Sequence, residues 1–311
     1  MDNSSRIIGL VCACAGVAAV AAVTRRNSVS FSLPDREREF EVQEHIVAAR
    51  AFNRSSALLA ASVLADSAME HYRGSFANRA MYTPLVSSAL SMLAGLHGGV
   101  DRNAETHQLR HAIYVVAVAA GVSGTAFHLY NVTKRPGGWS WNNLFYGAPL
   151  GAPTALLLSG ALGAVAERLR NEPAEDPRIC GLPAGKALAL LASAGLIGTV
   201  GEVALLHFRG SFQHPAMYAP VSLPPIAAVL LAQAALRSPR PSWFARAWLR
   251  MTAALGLIGL GFHARGIARN QGGWRNWSQN LFNGPPLPAP PSFSALALAG
   301  LAALRLREAE K

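Results

Sequence analysis

Two pairs of histidines stand in surroundings that the chain writes twice. His71 opens His71-Tyr72-Arg73-Gly74-Ser75-Phe76, and His207 opens His207-Phe208-Arg209-Gly210-Ser211-Phe212. His128 and His263 each close a Gly-x-x-Gly-x-x-x-His pattern, with Gly121 and Gly124 before the first and Gly256 and Gly259 before the second. Positions four and seven before a residue lie on its own helix face, so each imidazole stands over a strip without side chains. Such a strip suits a flat porphyrin, and histidine supplies an axial nitrogen to haem iron. It equally suits close helix packing in a membrane. Two histidines per copy are the minimum for a bis-histidine haem b or for half of a transition-metal site, provided the glycines face a cleft rather than a neighbouring helix. The rival reading of His71 and His207 is a polar helix end, in which Arg-Gly stops the helix and the glycine turns left-handed.

Asp66 and Glu202 occupy matched positions inside apolar segments, with Glu70 one turn beyond Asp66. Ionisable residues in a span are costly and mark a pathway or a paired site, so these three acids are candidates for metal ligation or a proton relay. Intrahelical pairing of Glu70 with Arg73, and of Glu202 with Arg209, is the structural alternative. Arg73 and Arg209, with Trp139 and Trp274, are candidates for contact with an anion or a lipid headgroup; the tryptophans also suit an interfacial aromatic belt. No phosphate-binding glycine loop, nucleophile elbow or His-Glu-x-x-His motif occurs, and Cys12, Cys14 and Cys180 lack zinc-ligand spacing.

The elements that must position these residues are long apolar helices. Of 311 residues, 51% are hydrophobic and only 14% charged, against roughly 25% charged in soluble domains. Spans of about 20 residues are expected near 56–71, 82–96, 112–127 and 149–166, and again near 186–206, 218–236, 247–262 and 287–304. Ile7–Val23 is a ninth candidate, retained as a helix or cleaved as a signal. The following stretch, with Phe40, Val47 and Ala51, is read as an amphipathic connector along the membrane surface or as a solvated one.

The matched blocks keep an offset of 135–137 residues. Ala80-Met81-Tyr82 recurs as Ala216-Met217-Tyr218, Gly137-Gly138-Trp139 as Gly272-Gly273-Trp274, and Asn143-Leu144-Phe145 as Asn280-Leu281-Phe282. The expected fold class is therefore an all-α integral membrane protein, a tandem duplication of a four-helix unit as parallel repeats, with an extra N-terminal helix. The expected divisions are 1–55 (N-terminal helix and connector), 56–172 (first unit), 173–191 (linker) and 192–311 (second unit).

Lysine and arginine fall unevenly about these spans, 8 on the side of the repeated motifs and 19 on the other. The positive-inside rule turns the motif loops outward, as in a bacterial inner-membrane protein. The basic excess is then topological and does not point to nucleic acid. Two functions follow. One is a redox protein holding haem b or a transition metal, with a periplasmic or membrane redox partner. The other is a transport or assembly protein that binds an anion or lipid between the repeats and needs no cofactor.

Overall fold

The computed structural model describes residues 35–170, 177–237 and 243–309, and these are almost wholly helical. Helix α1 (Asp35–Arg73) leads through a 3₁₀ turn (Arg79–Tyr82) into α2 (Thr83–Val100), α3 (Gln108–Thr133), the short α4 (Trp141–Tyr146) and α5 (Gly151–Arg170). A two-residue hairpin of β1 (Arg178–Ile179) and β2 (Leu182–Pro183), with Arg178 opposite Pro183, then turns the chain into the same series again. That second series is α6 (Ala184–Arg209), a 3₁₀ turn (Pro215–Tyr218), α7 (Ala219–Leu236), α8 (Trp243–Arg269), a turn at Gly273–Asn276, the short α9 (Trp277–Asn283) and α10 (Pro291–Ala309).

Two expected boundaries move. Helix α1 runs unbroken from Asp35, and Ile46, Ala49, Phe52, Asn53 and Ser56 are buried. The stretch containing Val47 and Ala51 is thus core helix rather than a surface connector ending at residue 55. Its charged residues read as surface, yet helical spacing carries its small and apolar residues into the bundle. Likewise α6 begins at Ala184, so residues 184–191 belong to the helix and not to a linker. The candidate span Ile7–Val23 lies outside the described residues.

Four of the eight long helices are long and apolar enough to cross a membrane: Gln108–Thr133, Ala184–Arg209, Pro215–Leu236 and Trp243–Arg269. The others explain themselves by position. Helices α1, α5 and α10 are the most enclosed, and an enclosed helix can carry polar residues that a lipid-facing one cannot. Helix α2 buries Ser87, Ser88, Ser91, Gly95, Gly98 and Gly99 against its neighbours, which lowers its hydropathy, while Val86, Leu90, Leu93, Leu96 and Val100 point outward.

In the first unit α1 packs on α2 and α5, and α3 on α2 and α5; in the second, α6 packs on α7 and α10, and α8 on α7 and α10. The units join where α1 meets α10 and α5 meets α6. The main core fills this seam at the end away from the repeated loops, with Leu59, Leu162, Leu188, Leu196, Leu231 and Leu296 almost fully buried.

The glycine strips are part of this packing. A Cβ on Gly121 would overlap the backbone of Leu157 on α5, and one on Gly124 would come 3.1 Å from Pro153. A Cβ on Gly256 would lie 2.7 Å from the Pro290 carbonyl oxygen, and one on Gly259 3.0 Å from the Pro290 ring. The glycines bring α3 against α5 and α8 against the start of α10, so they offer no surface to a porphyrin. Gly198 and Gly201 on α6 face open space instead. Gly121→Ala is expected to destabilise the protein by about 1–3 kcal/mol through overpacking. Gly198→Ala should be neutral or stabilising by up to about 1 kcal/mol, through helix propensity. Thermal unfolding in detergent measures both.

Candidate functional site

The turn after α1 is closed by its own motif. Ser75 and Phe76 take positive φ, 54° and 46°, as do Ser211 and Phe212, 55° and 45°. The left-handed residues are therefore these, and not Gly74 or Gly210. The glycines serve a different need, because a Cβ on either would press on Met81 or Met217. Phenylalanine disfavours left-handed backbone, and each phenylalanine is held by stacking, Phe76 on Tyr82 at 4.5 Å and Phe212 on Tyr218 at 4.7 Å between ring centroids. His71 Nδ1–H donates to the Met81 carbonyl at 2.6 Å, and His207 Nδ1–H to that of Met217 at 2.8 Å.

The second histidine of each unit clamps a second loop. His128 Nδ1–H donates to the Pro149 carbonyl just before α5, and His263 Nδ1–H to that of Pro286 at 2.6 Å. In the loop between them and the short helices, Asn143 donates to the Pro136 and Gly138 carbonyls at 3.1 and 2.8 Å, and Asn280 to those of Gln271 and Gly273 at 3.1 and 2.8 Å. Four histidines thus share one tautomer, protonated on Nδ1, because their partners are carbonyls. Among the described residues no hydrogen bond reaches Nε2 of any of them. His128 lies within electrostatic reach of His71, and His263 of His207.

Among the described residues no hydrogen bond or ion pair joins Asp66, Glu70 or Glu202 to these histidines. Asp66 and His71 are five positions apart, about 140° around the helix. Asp66 instead lies within electrostatic reach of Glu202 of the other unit as well as of Glu70. Glu202 Oε1 accepts the Gly151 N–H that opens α5, at 3.3 Å, and its other oxygen fills the space a Cβ on Gly151 would need. The position matched to Gly151 is Pro288, which has no N–H; its carbonyl accepts Ser62 Oγ–H. Asp66 has no hydrogen-bond donor among the described residues. No group of three or more His, Cys, Asp or Glu side chains among them is arranged to hold a metal ion.

Intrahelical pairing accounts for Glu70, whose carboxylate meets Arg73 at 2.8 Å, but not for Glu202. Arg209 turns to the rings of Phe145 and Tyr146, at 5.7 and 5.5 Å. Around it the seam is closed by reciprocal contacts: Tyr72 stacks on Phe282 at 5.0 Å, and the matched Phe208 meets Phe145 at 6.0 Å. Trp139 and Trp274 stay exposed, 60% and 50%, as belt residues do.

At the opposite end of the first unit lies a buried ionic cluster to which no repeated motif points. Arg110 pairs with Asp101 at 2.7 Å and with Glu167 at 2.9 Å, and Arg170 lies 3.5 Å from Glu167. Glu167, 0% exposed, also accepts from Asn53 Nδ2 and the His107 N–H, both at 3.1 Å, while Tyr114 donates to Asn53. Gly98 leaves room for the Asn53 amide, and Gly163 for the Tyr114 ring. His97 accepts from Arg110 at 3.0 Å through Nδ1, the opposite tautomer to the loop-clamping histidines. Burial alone would raise the Asp101 carboxyl, but the Asn103 N–H, the Arg110 guanidinium and the Arg170 charge together hold it below the usual carboxylate range.

The sequence signal for this cluster is an asymmetry, since Asn53, Arg110, Tyr114 and Glu167 stand where the second copy has Ala189, Ala245, Leu249 and Leu304. Glu167→Gln takes the nearer carboxylate from buried Arg170 and leaves Arg110 with Asp101 alone, and should cost about 3–5 kcal/mol. Replacing all four residues by their second-unit counterparts should cost less than that single change. Unfolding midpoints of the two variants decide it.

Comparison with known protein families, with curated proteins and with solved structures finds no match for this chain, so its chemistry is read from this geometry.

Proposed function

We propose that this chain is an integral membrane protein, a tandem duplication of a four-helix unit in parallel orientation, which binds a cation between Asp66 and Glu202 in a transport cycle. The membrane reading rests on four lipid-compatible helices and on outward-facing leucine, valine and isoleucine side chains. The duplication is supported by the repeated element order and by the reciprocal seam contacts, the pattern a two-fold axis produces. The excess of basic residues on one side supports a bacterial inner-membrane orientation with the repeated loops outward.

The observation that carries the cation reading is that matched carboxylates of the two units lie within electrostatic reach of each other, Glu202 against the Gly151 N–H, and neither has an ion-pair partner among the described residues. Like charges held together need a proton or a metal ion between them. In vesicles carrying the protein, an inside-negative potential should drive proton or divalent-cation entry, and Asp66→Asn with Glu202→Gln should reduce it at least tenfold. Entry unchanged by the double substitution overturns the reading.

A second reading has its own observation. Fixing Nδ1–H on a carbonyl is how proteins orient a metal-ligating imidazole, and here it leaves two Nε2 atoms per unit without partners among the described residues. On this reading His71 with His128, and His207 with His263, ligate a transition metal or haem iron for electron exchange with a periplasmic or membrane redox partner. A porphyrin would have to sit away from the packed glycines. The purified protein should then show a Soret band or stoichiometric metal that His128→Ala or His263→Ala diminishes. Neither band nor metal, or a signal untouched by the substitutions, rejects it.

A further inference from the structure

Arg50 and Arg54 stand one turn apart on α1, and both direct Nε–H to a single acceptor, the Gly99 carbonyl oxygen, at 3.3 and 3.0 Å. Gly99 makes this possible, because a Cβ there would lie 2.8 Å from the Arg54 stem that crosses α2 at that point. Two guanidiniums sharing one oxygen are held close together, and among the described residues no carboxylate lies within ion-pair distance of either. Two acids of this end, Asp101 and Glu167, are engaged by Arg110 and Arg170. With Nε occupied, the η nitrogens of both side chains donate to nothing among the described residues. Paired like charges that no described carboxylate neutralises form a ready site for an anion, and guanidinium forks match phosphate oxygens in particular.

Depth identifies which phosphate. Arg54 and Arg73 lie on one continuous helix, 19 steps apart, or about 28 Å at the α-helical rise. The hydrocarbon core of a bilayer is about 30 Å thick, so with Arg73 at one headgroup layer Arg54 stands at the other. From there the exposed Leu93, Leu96 and Val100 of α2 run toward the bilayer centre, a surface for acyl chains. We propose that Arg50 and Arg54 clamp the phosphate of an anionic phospholipid in the leaflet opposite the repeated loops. The site occurs once per chain, because the second copy has Lys186, Leu190 and Ala235 at the matched positions.

This inference rests on the membrane reading, and one experiment separates the two. Native mass spectrometry of the full chain in detergent should show one bound phosphatidylglycerol, preferred at least tenfold over phosphatidylcholine. Arg50→Gln with Arg54→Gln should abolish the preference, whereas Arg79→Gln with Arg135→Gln, at the other end, should keep it. Arg54→Lys keeps the charge but loses the anchored fork, and should weaken the preference several-fold. A membrane-extracted wild type without lipid preference, a preference that survives the Arg50/Arg54 double substitution or is undiminished in Arg54→Lys, or displacement of the lipid by millimolar inorganic phosphate overturns the clamp. A wild type recovered soluble without detergent overturns the membrane reading beneath it.

Discussion

A backbone carbonyl that leaves a helix inside or beside a bilayer finds few waters, so a donor must come from the chain itself. The loops at the repeated end are rich in proline, which removes donors while adding bends. Pro136, Pro149, Pro286 and Pro288 all lie in them. The repeated histidines and asparagines supply what the prolines take away: His71 and His207 close one turn, His128 and His263 another, and Asn143 and Asn280 the loop between. A structural need of this kind recurs in both copies, which explains why these residues remain matched. It does not exhaust the imidazoles, since using Nδ1 as the donor fixes the tautomer that leaves Nε2 as a base or ligand.

Where the copies differ is as informative as where they agree. At the seam, Gly151 offers an N–H to Glu202, while Pro288 offers none to Asp66. One carboxylate of the pair is thus anchored and the other is not, although the helices that bear them occupy equivalent places. The buried cluster around Glu167 and the Arg50/Arg54 pair both exist in the first unit alone. The shared contacts pack both series of helices, whereas these polar clusters are built in one of them.

The eight long helices, their order and the matched loops were legible because apolar runs and repeated blocks survive in a single sequence. The start of α1 was not, because Arg50, Asn53 and Arg54 are polar, and the burial of Asn53 depends on Gly98 of another helix. The glycine strips before His128 and His263 were seen, but a bare helix face fits a helix or a porphyrin equally well, and only the positions of Leu157 and Pro290 decide between them. The separation of His71 from Asp66 was within reach of helical arithmetic. The meeting of Asp66 with Glu202 was not, since it requires knowing how the units join.

The two polar regions of the first unit do not connect through it. Asn53 and Ser56 continue the Glu167 cluster along α1, but Val63, Ala117 and Leu156 then form a closed apolar layer before the histidine pair is reached. The seam differs, because Ser62, Asp66 and Glu202 lie along it. Both carboxylates keep partial exposure, whereas Leu59, Leu162, Leu196 and Leu296, farther along the same helices, are almost fully buried. The seam is thus polar toward the repeated loops and sealed beyond the acids. The same four helices that carry the acids and their neighbours also build this apolar seal, so any change in how α1, α5, α6 and α10 pack acts on both at once.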